Sequence, residues 1–300
     1  MAGSLKPTGT GQIEVPKEVF ALYDAYCHGE LSRRAFFAKL STYAVGGVSA
    51  PMLAACLMPD YGRVQTLEGA GELAEETAAY TSPRGGGEMS GYLVRPAQAA
   101  GRLPGIIVVH ENRGLNPHIR DVTRRAARAG YVAFAPDALF PLGGYPGNDD
   151  EGRALQARRA APEMIEDFMA AAEFLRDHPY TNGKIACTGF CFGGAVAHMM
   201  AVRQPWLKAS VPFYGGWPPA EDAARVEVAL QIHLAENDVR VNAGWPAYQA
   251  ALDAAGRSYE VHVYPGLEHG FHNDTTPRFN AEGAALAWSR TLDFFARHLA

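Results

Sequence analysis

Three residues of this 300-residue chain have the types and the order that nucleophilic catalysis needs: Cys191, Asp238 and His269. Cys191 lies in Gly189-Phe190-Cys191-Phe192-Gly193-Gly194, entered from the apolar run Lys184-Ile185-Ala186-Cys187-Thr188 and left through Gly194-Ala195-Val196-Ala197. A strand that breaks at such a turn and restarts as a helix lifts its central side chain clear of the sheet. The flanking glycines tolerate the backbone angles and close approach that the turn demands. The plainer reading is a buried cysteine in a tight turn, so the pattern needs partners to mean more. A thiol ionises at roughly 8.5 and needs a neighbouring base to attack a carbonyl at neutral pH. His269 would be that base, and Asp238 would fix its tautomer and stabilise the imidazolium. Glu236 competes for the acid role. His272, His262 and His233 compete for the base, although the last two alternate within strand-like runs and read as core or surface positions.

The surrounding elements put these residues on one rim. Ala74–Thr81 and Gly91–Arg95 read as strands joined through Ser82–Gly87, a hairpin connection. Gly105–His110 is a β-branched run typical of a strand buried on both faces. Helix patterns at 117–129, 164–176, 245–255 and 281–299 alternate with further strands at 130–135, 184–188, 209–215, 229–234 and 259–264. That alternation predicts an α/β fold, a mostly parallel sheet with helices on both faces. Ligands of such sheets bind beyond the carboxyl ends of the strands, where all three residues fall. Residues 138–153 are rich in glycine and proline and read as one long loop.

Composition narrows the function classes. With 48% hydrophobic and 20% charged residues the chain is ordinary for a soluble globular protein. A net charge of −5 and the lack of any Lys/Arg run speak against a nucleic-acid partner. The four cysteines, Cys27, Cys56, Cys187 and Cys191, form no C-x-x-C pair or zinc spacing. No His-x-His or His-Glu-x-x-His pairing occurs either, so no metal and no organic cofactor is expected.

Residues 1–65 read as an N-terminal helical extension and 66–300 as the main domain. Ser32-Arg33-Arg34-Ala35-Phe36-Phe37-Ala38-Lys39 is close to a twin-arginine export signal, and Leu53-Ala54-Ala55-Cys56 is close to a lipoprotein cleavage box. Against export, the arginine pair lies behind about thirty residues, and the apolar run that follows carries Gly46, Gly47 and Pro51. The competing reading is a packed helical arm, since Val19, Phe20, Leu22 and Tyr23 have helix-like spacing. The cytoplasm is the expected compartment, with periplasmic export through Arg33 and Arg34 as the alternative. The run is too short and broken for a stable membrane span.

From about Glu75 to Ala300 the chain resembles the dienelactone hydrolases (carboxymethylenebutenolidases), a family of the α/β-hydrolase fold. The resemblance rests on His110-Glu111-Asn112-Arg113-Gly114-Leu115-Asn116, Pro179-Tyr180-Thr181-Asn182-Gly183-Lys184, the cysteine elbow, Phe213-Tyr214-Gly215, and Tyr264-Pro265-Gly266 leading to His269-Gly270-Phe271. It implies Cys191, His269 and Asp238 as a triad, with His269 moving the proton, and Glu111 beside the resting thiol to hold it protonated. The backbone N–H groups of Phe192 and Asn112 would form the oxyanion hole. The chain departs from the family at Asn273, where members that open dienelactone carry an arginine for the substrate carboxylate. Arg113, Arg153 and Arg240 are candidates to replace it, and Tyr214 and Tyr145 are further substrate-binding candidates. The expected function is hydrolysis of a small ester or lactone through an acyl-enzyme. A thiol redox or sensor protein using Cys187 and Cys191, and a non-catalytic binding protein of the same fold, are the alternatives. A homo-oligomer is left open.

Overall fold

The structure, a computed structural model, describes residues 15–44, 48–69 and 71–300. Its eight strands are β1 (Leu73–Ser82), β2 (Gly87–Pro96), β3 (Leu103–Val109), β4 (Val132–Pro136), β5 (Thr181–Phe190), β6 (Ala209–Phe213), β7 (Ala229–Ala235) and β8 (Tyr259–Tyr264). They form one sheet in the order β1-β2-β4-β3-β5-β6-β7-β8. The β1–β2 hairpin, closed at Ser82 opposite Gly87, and the β2–β4 pair are antiparallel; every other pair is parallel.

The period-2 geometry of a strand divides its apolar run between two cores. Ile107 and Val109 of β3 enter one cluster, with Phe168 of α6 (Ala161–Asp177), Met200 of α7 (Phe192–Arg203) and Leu252 of α9 (Trp245–Ala254). Ile106 and Val108 enter the other, with Ile119 of α4 (Pro117–Arg128) and Phe295 of α10 (Ala281–Leu299). Helices therefore cover both faces, as the alternation predicted. The long excursion differs from expectation: it contains the helix α5 (Asp149–Gln156). Asn148 caps it by accepting from the N–H groups of Asp150 and Glu151 at 2.9 and 3.2 Å. Asp149, Asp150 and Glu151 in its first turn suit the positive end of the helix dipole. β5 also begins at Thr181, ahead of the strand expected from 184.

Before the sheet come α1 (Lys17–Cys27), α2 (Arg33–Leu40) and α3 (Ala50–Leu57). Val19, Tyr23, Tyr26, Phe36, Leu40, Leu53 and Leu57 bury themselves against one another in a cluster separate from the two around the sheet. Each large side chain withdrawn from water there contributes roughly 1.5–3 kcal/mol of transfer free energy. Arg33 and Arg34 open α2 behind a Ser32 cap, whose hydroxyl accepts from Ala35 N–H at 3.2 Å. Gly46 and Gly47, weighed above against export, lie outside the described residues. No helix among the described residues is long and apolar enough to cross a membrane.

Candidate active site at the carboxyl rim

β5 delivers Cys191 to the rim in a conformation that few residues adopt. Cys191 has φ 57° and ψ −111° as the residue that caps α7, and its N–H is held by the Phe213 carbonyl of the neighbouring strand at 3.1 Å. The flanking glycines are dictated by space. A Cβ on Gly189 would lie 2.0 Å from the Gly193 carbonyl oxygen, and one on Gly193 would lie 2.3 Å from that of Val109. Strain of this kind persists only where the surroundings over-determine it, and it concentrates at functional sites. Among the described residues, Tyr214, at the end of β6, is the other non-glycine residue with positive φ, at 38°.

The next strand ends bring up the partners. Asp238 follows β7 and caps the short helix α8 (Val239–Asn242), its Oδ1 accepting from Val241 N–H at 3.1 Å. Its other oxygen, Oδ2, lies 2.5 Å from Nδ1 of His269, which follows β8. Asp238 thus serves as helix cap and histidine partner at once. Glu236 faces elsewhere, accepting from Gly266 N–H at 2.7 Å. His272 stacks on Phe190 at 5.0 Å between centroids, and burial drives its pKa well down, as a core imidazole. His233 is likewise buried, bonded to Tyr264, Gln231 and Thr291.

The arm supplies a residue to which no sequence pattern points. His28, just past the end of α1, places Nε2 3.2 Å from Cys191 Sγ and Nδ1 2.8 Å from the Asp24 carbonyl oxygen. Asp24 Oδ1 is 3.4 Å from His28 Nδ1 and 3.9 Å from His269 Nε2. The thiol sulfur and one nitrogen of each imidazole all lie within 4.8 Å of one another. Burial alone would push the thiol up, but the charges of His28 and His269 more than offset this and bring Cys191 down to about 6. Burial opposes the charged form of both imidazoles too, and the neighbouring Cys191 and carboxylates overcome it, raising both. His269, His28 and Arg278 hold the Asp24 carboxyl below its usual range against burial. The same donor types bind soft cations, but the Arg240 guanidinium, 3.0 Å from His28 Nε2, disfavours a second cation there. The cluster suits proton transfer better than a metal.

A cavity of about 600 Å³ opens beside Cys191, lined by His28, Asn112, Phe192, Tyr214, Arg153, Arg240 and mostly small or apolar neighbours. Of the sequence-chosen residues, Asn112, Phe192, Tyr214, Arg153 and Arg240 therefore meet Cys191 at one space. Arg113 is buried beneath the arm, with Nη1 2.7 Å from Asp149 and Nη2 3.1 Å from Tyr23 Oη and 3.2 Å from Cys27 Sγ. Tyr145 donates to Asp149 at 2.9 Å, away from that space. Glu111 accepts from Asn273 Nδ2 at 2.9 Å and borders a small void with Cys191; the side chain in hydrogen-bonding reach of the thiol from the arm is His28. Cys187, weighed above as a redox partner, faces the opposite core from Cys191. Its thiol donates to Ser210 Oγ at 3.3 Å, and burial pushes it up to about 12.

The arm meets the rim through polar contacts. Arg153 donates to the Tyr26 carbonyl at 2.6 Å, Tyr26 Oη to Asp150 at 3.1 Å, Tyr61 Oη to Asp149 at 2.6 Å and Asn112 Nδ2 to the Cys27 carbonyl at 2.7 Å. Arg278 and Arg240 each lie 3.4 Å from the Asp24 carboxylate.

A sheet in this strand order, with a strained turn at the end of β5, defines an α/β-hydrolase. The family model described as "Dienelactone hydrolase family" matches residues 89–299, and the chain belongs to that family. It is a hydrolase. A second model, described as YqhI-like, matches residues 11–46, which include α1 and α2. The Yersinia pestis protein named "Putative carboxymethylenebutenolidase" is 33% identical over 232 residues, 73% of this chain and 87% of that one. The Escherichia coli protein named "Putative hydrolase fragment YghX" is 55% identical over 101 residues, 33% of this chain and 86% of its own. Among solved structures, the Klebsiella pneumoniae "Putative Dienelactone Hydrolase" superimposes with a TM-score of 0.67 at 28% identity, covering 75% of this chain and 99% of that one.

Proposed function

We propose that the protein hydrolyses a small carboxylic ester or lactone through a covalent thioester on Cys191, within a unit formed by residues 66–300. The observation that carries this reading is the His269–Asp238 pair, joined at 2.5 Å, beside a thiol held at a strained turn on the wall of an apolar cavity. His269 keeps the thiol ionised, and Asp238 fixes the imidazole with Nε2 toward the sulfur. The Phe192 N–H belongs to the first turn of α7, where amides lack an intrahelical acceptor. Together with the Asn112 N–H it would hold the oxyanion. Thiolate attack forms the sulfur–carbon bond, collapse expels the alkoxide, and water then cleaves the thioester. Of the two candidate arginines on the cavity, Arg153 is tied to the Tyr26 carbonyl and Asp150, and Arg240, about one third exposed, is placed to meet an anionic substrate. The Glu111 carboxylate, which borders a small void with Cys191 and accepts from Asn273, would oppose through its charge the ionisation that His269 favours. Cys191→Ala should abolish hydrolysis of p-nitrophenyl acetate and of simple lactones; retention of wild-type rates by both Cys191→Ala and Cys191→Ser would refute the nucleophile.

A further inference from the structure

We infer that His28, carried by the N-terminal arm, is a second acid–base residue of this site, the one that protonates the departing alkoxide oxygen. The inference rests on the thioester chemistry proposed for Cys191. Its starting point is position. His28 lines the main cavity together with Cys191, Asn112 and Phe192, whereas His269 borders two smaller hollows shared with Asp24 and Arg278. A substrate acyl group seated on Cys191 from the cavity therefore has His28 beside its leaving oxygen and His269 behind the sulfur.

The hydrogen bonds of His28 identify the atom that exchanges its proton. A backbone carbonyl can only accept, so Nδ1, 2.8 Å from the Asp24 oxygen, keeps its hydrogen and Nε2 is left for chemistry. Two neighbours pull on Nε2 in opposite directions. The Asp24 carboxylate, 3.4 Å from the ring, favours the imidazolium, while the Arg240 guanidinium, 3.0 Å from Nε2, favours the neutral ring. The other charged groups at hand are the Cys191 sulfur, at 3.2 Å, and His269, whose ring centroid is 5.3 Å from that of His28. With the Cys191 sulfur added to Asp24 the balance favours the imidazolium, so Nε2 carries the proton that a leaving oxygen needs.

The protons balance over a turnover. The thiolate bonds to the carbonyl carbon, and the carbonyl electrons move to oxygen. On collapse the carbon–oxygen bond breaks, and the leaving oxygen takes the proton from His28 Nε2 and departs as the alcohol. Water enters, neutral Nε2 removes its proton, and hydroxide adds to the thioester carbon. The sulfur leaves as thiolate with the carboxylic acid released and His28 recharged.

The test is the dependence of kcat/KM on leaving group in the full-length protein, from p-nitrophenyl acetate to p-methoxyphenyl acetate. A good leaving group needs no proton and a poor one does. His28→Ala should cost little on the first, with the loss growing by about tenfold or more along the series. A loss that stays constant within about threefold along the series overturns the inference, whatever its size; growth beyond about threefold upholds it. To separate loss of the imidazole from a shifted arm, free imidazole is added to His28→Ala. Rescue that favours the poorer leaving groups is expected, and uniform or absent rescue overturns the assignment. If Cys191→Ala retains activity across the series, the thioester reading fails instead, and the two failures are distinct.

Discussion

The two imidazoles beside Cys191 reach it by different means. His269 and its partner Asp238 stand on loops that follow β8 and β7, adjacent parallel strands. Their spacing is fixed by the same backbone ladder that fixes the sheet. His28 arrives from outside that sheet, on a helix whose apolar side chains turn inward to a separate cluster. Its attachment to the rim runs through Arg153, Asp149, Asp150, Arg240 and Arg278. An apolar seam within a core is costly to open, whereas a polar interface between packed units resembles those of transient partners. One side of the thiol is thus built in with the fold, and the other side is laid on it.

The comparison can be broken first on the built-in side. His269→Gln should lower kcat/KM on aryl esters by about 10²–10⁴-fold, and Asp238→Asn should follow it through loss of the tautomer. Steady-state rates of folded variants decide this; a loss under tenfold would place the working base elsewhere. On the laid-on side, Phe36→Ala removes a fully buried ring from the arm cluster and should cost the arm about 3–5 kcal/mol. Hydrogen exchange should then quicken in α1–α3 while β5 and β6 amides stay protected. Protection lost equally in both regions would show that arm and sheet are one cooperative unit.

A smaller effect concerns the thiol itself. Alkylation of Cys191 by iodoacetamide should rise through a midpoint near pH 6. Both His28→Gln and His269→Gln remove a cation that favours thiolate, so each should move the midpoint upward. A midpoint that moves for only one of them shows which side sets the ionisation. The smallest effect is on acid stability and lies in the sheet's core. Burial brings His198 down to about 3 from an ordinary 6.5, between Trp217 and Tyr248. Between those values the unfolded chain binds a proton that the folded chain does not, so stability falls as pH drops from about 6.5 toward 3. Replacing His198 by Phe should flatten that part of the melting-temperature profile, and an unchanged slope would assign it to the other buried histidines that burial lowers, His110, His233 and His272 among them.

Much of the rim was legible because its signals are local. The β-branched run at Ile106–Val109 could satisfy its pattern only as a strand buried on both faces. The two glycines around Cys191 mark places where backbone passes within a Cβ's reach of backbone. Chain order does not separate Asp238 from Glu236, since both lie between Cys191 and His269; the family resemblance favours Asp238, and in the structure Glu236 accepts from the Gly266 amide while Asp238 meets His269. The helix α5 is hidden in the sequence although Asn148-Asp149-Asp150-Glu151 is a helix start. Gly152 and the preceding glycines mask it, and Gly152 is there because a Cβ would lie 2.4 Å from the Arg113 carbonyl oxygen. Arg113 shows the converse failure, since its proximity to Glu111 in sequence said nothing of Asp149 or Tyr23.

By itself the sequence determined the α/β alternation, the cysteine turn and the order of the residues that follow it. These depend on hydrophobic period and on glycine where a side chain cannot fit, both properties of neighbouring residues. Only the tertiary structure decided where the arm lies. The contact between His28 and Cys191 joins residues 163 apart in the chain. The apolar stripe of α1 says which face is buried and carries no record of what its polar end will touch. That choice is made by charged pairs between remote segments, Asp24 with Arg240 and Arg278 among them, which come within reach only once the sheet has gathered its loops onto one rim.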